Sequence, residues 1–173
     1  RYVRELFQLL QDAALFYYDT FQRKVWHWGD IGKIHLPDFP RQELEYHPFW
    51  RRQYAQLLSQ AEVERQRIAR ALSIIDDNLR RPVKHRGDLE VFLTCAELMR
   101  HNVDLVLTLG RLEEEIGAAS GLHFSARREA LEHLRRAQSL VEEHLADRAT
   151  VFGTLVEVWE RTRLPKGYST PDR

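Results

Sequence analysis

Between Leu89 and Leu112 apolar side chains occupy nearly every side of a helical pattern: Leu89, Val91, Phe92, Leu93, Ala96, Leu98, Met99, Val103, Leu105, Val106, Leu107, Leu109 and Leu112. A helix of that kind packs against several neighbours at once, so the rest of the chain must supply them. Asp88 suits its N-cap, the pattern runs to about Ile116, and Gly117 and Gly121 are expected to make the turn that follows. Its polar residues gather on one narrow stripe: Glu90, Thr94, Glu97, His101, Asp104, Thr108, Arg111 and Glu115. That stripe is expected to be the solvated side.

The flanking segments carry the expected partners. A first helix over residues 1–28 has an apolar line through Val3, Leu6, Leu10, Ala13, Tyr17, Phe21, Val25 and Trp28, in steps of three and four. Gly29 and Gly32 stop it. Residues 29–47 form the longest irregular connection, with Pro37 and Pro40 opposing helix. A second helix begins near Pro48, a residue suited to a first turn, and reaches about Arg80 through Tyr54, Leu58, Ala61, Ile68, Leu72, Ile75 and Leu79. A fourth, capped by Ser125, continues to about Arg163 on Leu131, Leu134, Val141, Leu145, Phe152, Leu155 and Trp159. The pattern predicts an all-α fold, an elongated antiparallel up-down bundle of about four long helices, each ~40–55 Å long. Residues 1–164 make one domain and 165–173 a polar tail.

Composition narrows the function classes. With 26 Lys+Arg against 26 Asp+Glu in 173 residues, formal net charge is zero. No global field draws the chain to nucleic acid, and no apolar run approaches the ~20 residues that span a bilayer. Cys95 stands alone among apolar neighbours and reads as a structural thiol. The chain opens in helical pattern at Arg1-Tyr2-Val3 and closes on a polar tail, so both ends are expected to be boundaries within a longer protein.

The tests for chemistry come back empty. No Glu-x-x-His pair, phosphate loop or nucleophile elbow occurs, so no catalytic residue, metal site or cofactor is assigned. Glu97, His101 and Asp104 share a stripe and are the best metal candidates, but read better as a solvated face. Arg65 and Arg148 fall on core lines; an edge position with a snorkelling side chain is preferred to a buried ion pair. The aromatic stretch around the long connection is the candidate docking surface: Trp26, His27, Trp28, His35, Tyr46, His47, Phe49 and Trp50. Such rings suit a protein interface, a ligand such as a sugar ring, or the closing of one end of the bundle's own core.

The C-terminal run Trp159-Glu160-Arg161-Thr162-Arg163-Leu164-Pro165-Lys166-Gly167-Tyr168-Ser169-Thr170-Pro171, with the helix before it, resembles the non-catalytic helical region of large bacterial β-N-acetylhexosaminidase-type glycoside hydrolases. The resemblance covers the fourth helix and tail best. It implies a catalytic Asp-Glu pair in a separate (β/α)8 barrel, so no catalytic position transfers to this chain. It also implies a periplasmic or extracellular parent that hydrolyses terminal N-acetylhexosamine. The partner would be the catalytic domain of the same parent chain. The competing expectation is an independent helical interaction or oligomerisation module.

Overall fold

The computed structural model describes residues 2–21, 34–40, 45–81, 84 and 86–162. Their helices are α1 (Val3–Phe21), α2 (Trp50–Gln53), α3 (Ala55–Leu79), α4 (Arg86–Leu122) and α5 (Arg127–Thr162), and no strand occurs among the described residues. The all-α bundle expected from periodicity is what forms. Contacts near helix ends show the antiparallel directions: Glu5 pairs with Arg70 between α1 and α3, Leu58 of α3 lies against Gly110 of α4, and Glu90 pairs with Arg161 between α4 and α5.

Helix α4 is the spine. At 37 residues it is about 55 Å long. Among the described residues it packs against α1, α2, α3 and α5, whereas α5 packs against α4 alone. The apolar core lies between α1, α3 and α4, where Leu6, Leu10, Ala13 and Phe16 meet Ala61, Ile68, Ala71, Ile74 and Ile75 and the α4 side chains Ala96, Val103 and Val106.

Several boundaries differ from expectation. Gly117 and Gly121 make no turn: both lie inside α4, which runs on to Leu122. Gly117 serves packing instead, because a Cβ there would stand 2.5 Å from Pro48 Cγ. The turn falls at residues 123–125, closed by Ser125 N–H donating to Leu122 O and Ala126 N–H to the same oxygen. Ser125 therefore sits in the turn and does not cap α5. The helix expected from Pro48 starts at Trp50 and breaks at Tyr54, whose φ of −105° and ψ of 23° separate α2 from α3. Continuation of α1 to Trp28 lies outside the described residues.

Glycines at two helix positions give opposite expectations. At an uncrowded interior helix position Gly→Ala stabilises by roughly 1 kcal/mol. Gly153 has nothing within 4 Å of a new Cβ, so Gly153→Ala should raise the melting temperature. Gly117→Ala should lower it, because overpacking costs roughly 1–3 kcal/mol and outweighs the helix gain. Thermal melts of the two single variants check the opposite signs.

The inward faces also differ from the expected lines. In α1 the buried line turns through Phe16 and Thr20, leaving Val3 and Tyr17 exposed. In α3 the buried polar position is Glu64, not Arg65. Arg65 lies half-exposed at the edge, 3.4 Å from Asp104. The largest departure concerns α4 and α5. The polar stripe of α4 expected in solvent is the seam that receives α5: Thr94 and His101 are buried, and Glu90, Glu97, Asp104 and Glu115 are partly covered. Helix α5 meets it with Ala130, Ala137, Val151 and Val158, and with the half-buried His133, Leu140, His144 and Asp147. Most of its expected core line faces outward; Leu155 stays half-buried and the Phe152 ring stands edge-on to His101. Polar groups satisfy one another across α4 and α5, and small residues let the helices approach, so the apolar line of α5 is left over.

Candidate functional site

Three arrangements deserve comparison as sites, beginning with the aromatic connection. Its anchor is Glu113, which is 0% exposed. Glu113 Oε1 accepts from Tyr46 O–H at 2.8 Å, Phe49 N–H at 2.8 Å and Trp50 N–H at 2.6 Å, and Oε2 accepts from Arg51 N–H at 2.5 Å. Burial alone would raise this carboxyl, but the three backbone donors and the phenol hold it below the usual carboxylate range. Burial and the bond to Glu113 push the Tyr46 phenol up. The carboxylate satisfies the free N–H groups opening α2, which no side chain of α2 caps.

The candidate docking residues divide around that anchor. Tyr46, Phe49 and Trp50 converge on Glu113, and Tyr46 N–H also donates to Ser120 Oγ at 2.8 Å. Trp50 is buried, with its ring against Tyr54 and its Nε1–H donating to His35 O. His35 N–H donates to Tyr54 O–H at 2.9 Å, so His35 joins through its backbone while its side chain stays exposed. His47 is exposed beside Glu45, and the Phe49 ring is exposed. Trp26, His27 and Trp28 lie outside the described residues. A cleft of about 730 Å³ opens at this end between Tyr46, His47, Pro48 and the α4 terminus, flanked by His123 and the exposed Phe124.

The second arrangement is a charged layer midway along α4 and α5. Arg100 donates to Glu97 at 2.6 Å, Asp104 at 3.0 Å and Asp147 at 2.6 Å. Asp147 Oδ2 lies 2.8 Å from His101 Nδ1, and the rings of His101 and His144 stack 4.3 Å apart. Burial tends to raise the Asp147 carboxyl, yet the bonds from Arg100 and His101 hold it low. Glu97, His101 and Asp104, the metal candidates from sequence, are thus engaged by Arg100 and Asp147. Among the described residues no group of three His, Cys, Asp or Glu is placed to hold a metal ion. Through these contacts the layer ties α4 to α5.

This layer has a pH signature. Burial, then the neighbouring His101 and Arg100, lower the His144 pKa from 6.5, opposed by Asp147 and Asp104. A histidine whose folded pKa lies below its unfolded value contributes stability above the unfolded value and loses it as pH falls through the folded one. The melting temperature should therefore fall as pH drops from about 7.5 to about 5.5, the range in which histidine titrates. His144→Leu should flatten that part of the profile; a slope unchanged by the substitution would assign it elsewhere.

The third arrangement is the uncovered face of α5. Leu131, Leu134, Gln138, Val141, Leu145, Arg148, Phe152, Leu155 and Trp159 follow one another in alternating steps of three and four, the spacing of a coiled-coil seam. Leu145 is 54% exposed, Phe152 42% and Trp159 54%, with Leu131, Leu134 and Val141 also exposed. Arg148, which interrupts the line, lays its guanidinium 5.3 Å from the centre of the Phe152 ring. Ala149 and Gly153 beside the seam present small residues to a close neighbour. Contiguous apolar surface of this kind marks interaction sites.

Sequence reasoning found the seam residues but placed them in the core. It missed Glu113, His144 and Asp147. The signal for the last two was present: His133, Ala137, Leu140, His144, Asp147 and Val151 form a second line in the same three-four rhythm. Glu113 is hidden in the run Glu113-Glu114-Glu115, where spacing does not identify the inward carboxylate. Among the described residues no helix is long and apolar enough to cross a membrane. Neither a protein-family model, nor a curated protein, nor a solved structure matches this chain.

Proposed function

We propose that this chain is a non-catalytic helical interaction module whose α5 seam pairs with the α5 seam of a second copy. The observation that carries this reading is that, among the described residues, α5 packs on α4 alone and leaves large apolar residues of a coiled-coil line exposed. A sustained three-four rhythm fits another long helix better than an irregular surface. The same line on a second copy has the matching period and length, about 54 Å for the 36 residues of α5. Zero formal net charge removes the repulsion that opposes pairing of like chains.

The magnitude supports a modest complex. Covering what remains exposed of six seam side chains on each copy gives roughly 1 kcal/mol apiece, about 12 kcal/mol in all. Association itself costs at least about 4 kcal/mol, so pairing is expected from micromolar concentrations upward. Light scattering across a concentration series tests this: the mass should double over that range. A monomer throughout sinks the reading.

The resemblance of the stretch from Trp159 to Pro171 to hexosaminidase helical regions supports a second occupant for the same face. Trp159 closes the seam and opens that stretch. On this reading the module packs beside the catalytic barrel of a glycoside hydrolase parent. A reading frame with no hydrolase domain adjoining this segment would remove it.

A further inference from the structure

We propose that the two copies pair antiparallel, with the two-fold axis level with residue 143 of α5, so that Arg148 of each copy meets Gln138 and Glu142 of the other. This rests on the α5 pairing proposed above and adds its direction and register. Along the seam, Leu131, Gln138, Leu145, Phe152 and Trp159 form one set with a heptad repeat, and Leu134, Val141, Arg148 and Leu155 form the set between them. Turning a helix end for end reverses the order of its three- and four-residue steps. The steps of two antiparallel copies therefore match only when a residue of one set faces a residue of the other.

The polar interruptions single out one register. Gln138 and Arg148 belong to different sets, and placing them opposite each other sets Leu131 against Leu155, Leu134 against Phe152 and Val141 against Leu145, each twice about the axis. A shift of one heptad either way sets Arg148 against Leu131 or Leu145, and Gln138 against Val141 or Leu155. That would bury a charge without a partner. Parallel helices in register, as a two-fold pair requires, would set Arg148 against its own copy. The antiparallel register also uses nearly the whole helix. Arg127, which opens α5, comes level with Trp159 of the second copy, near the end of that helix at Thr162, and brings a guanidinium to an indole ring.

Part of the polar layer is already built in the single chain. Gln138 Nε2–H donates to Glu142 Oε1 at 2.7 Å. That bond orients the amide and leaves Gln138 Oε1 as an acceptor on the seam. Arg148 lays its guanidinium 5.3 Å from the centre of the Phe152 ring, a contact that occupies none of its N–H donors. Across the interface Arg148 comes level with Gln138 and within about one turn of Glu142, so it can donate to the open amide oxygen and to the carboxylate together. Each half of the interface then holds one guanidinium and one carboxylate. The two Glu142 side chains lie level with each other beside the axis, and the two guanidiniums offset their repulsion.

Direction is tested with nitroxide labels on the full chain at Glu129→Cys, Glu143→Cys and Glu157→Cys, each in a Cys95→Ala background. All three positions are exposed, on the side of α5 turned away from the seam. Dipolar distances between copies should be shortest at 143, whereas labels at 129 and at 157 should each stand about 42 Å apart along the helix axis. Register is tested by charge exchange in sedimentation equilibrium. Arg148→Glu and Glu142→Arg should each weaken pairing at least about tenfold, and the double variant should recover to within a few-fold of the native chain. Light scattering of the native chain separates the two readings. A dimer with equal distances at all three positions, or a double variant that does not recover, overturns this arrangement and leaves the pairing itself standing. A native chain that stays monomeric overturns both.

Discussion

Replacing Glu113 by alanine is expected to destabilise the fold by about 4–6 kcal/mol, the largest effect of any single substitution considered. The substitution strips the acceptor from four donors at once: the Tyr46 hydroxyl and the backbone N–H groups of Phe49, Trp50 and Arg51. A buried donor left unsatisfied costs roughly 1–3 kcal/mol. Water reaching the half-buried Tyr46 side recovers part of that. Domains of this size hold only about 5–15 kcal/mol, so Glu113→Ala should be marginally folded. Tyr46→Phe removes one donor and no acceptor, so its cost should be near 1 kcal/mol. Glu113→Gln should fall between, because its amide oxygen replaces one carboxylate oxygen and its NH2 group faces a donor. Urea unfolding of the three variants gives the order directly, and equal losses for Tyr46→Phe and Glu113→Ala would refute the anchoring role. The acid limb carries the same signature. A carboxyl held low in the folded state stabilises above its unfolded pKa, near 4.5, and loses that contribution as pH falls through the folded value. Tyr46→Phe should shift that limb only slightly.

The second large effect concerns association. Leu145→Glu with Phe152→Glu should abolish pairing through α5 while leaving the stability of the single chain nearly unchanged. Both side chains are already about half exposed, and substitutions at open surface positions usually stay within about 0.5 kcal/mol each. In a two-fold pair each substitution enters the interface twice, and a buried unpaired carboxylate costs several kcal/mol. The dissociation constant should therefore rise by at least about 100-fold, equivalent to roughly 3 kcal/mol. Sedimentation of the native chain and the double variant at matched concentration reads this as a loss of the heavier species. A double variant that still pairs would place the contact on another face. One that unfolds would mean that the seam supports the single chain itself.

How much of this was legible beforehand depends on what spacing encodes. The helical class follows from three-four periodicity, and the central position of the helix around Leu89–Leu112 follows from its apolar sides, since only a helix with several neighbours can bury them. Which face of α5 turns inward does not follow. Two lines in the same rhythm run along it, and hydrophobicity alone selects the line through Leu145 and Phe152. The structure selects the other because Asp147 and His133 find partners on α4 in Arg100, His101 and Glu115. An unpaired charge at that seam would cost more than exposed leucines do. Gly117 misled for a related reason. Glycine marks a turn when backbone conformation is the issue, and a close approach when a neighbour needs room; Pro48, distant in sequence, decides between them. The aromatic connection stands out by composition, but Tyr46 and Trp50 owe their placement to one acid on α4, which no local pattern reveals.

The one-sided attachment of α5 bears on how copies could assemble. Among the described helices α1, α3 and α4 pack on one another and α5 joins α4 alone, which leaves one outer margin at α5 and another at α1, much as an open sheet has two edge strands. At α1 Phe7, Leu15 and Tyr18 are also exposed, although Phe7 meets Phe92 of α4 and Leu15 lines a groove beside α3. Joining like margins about a two-fold axis uses up α5 and ends at two copies. Joining unlike margins, α5 of one copy to α1 of the next, never ends, and growth would continue as a filament. Arg148 and Gln138 interrupt the α5 line, and polar groups within such a seam restrict which alignments are tolerated. The residues that look like flaws in the apolar line are thus the ones positioned to favour closure over unlimited growth.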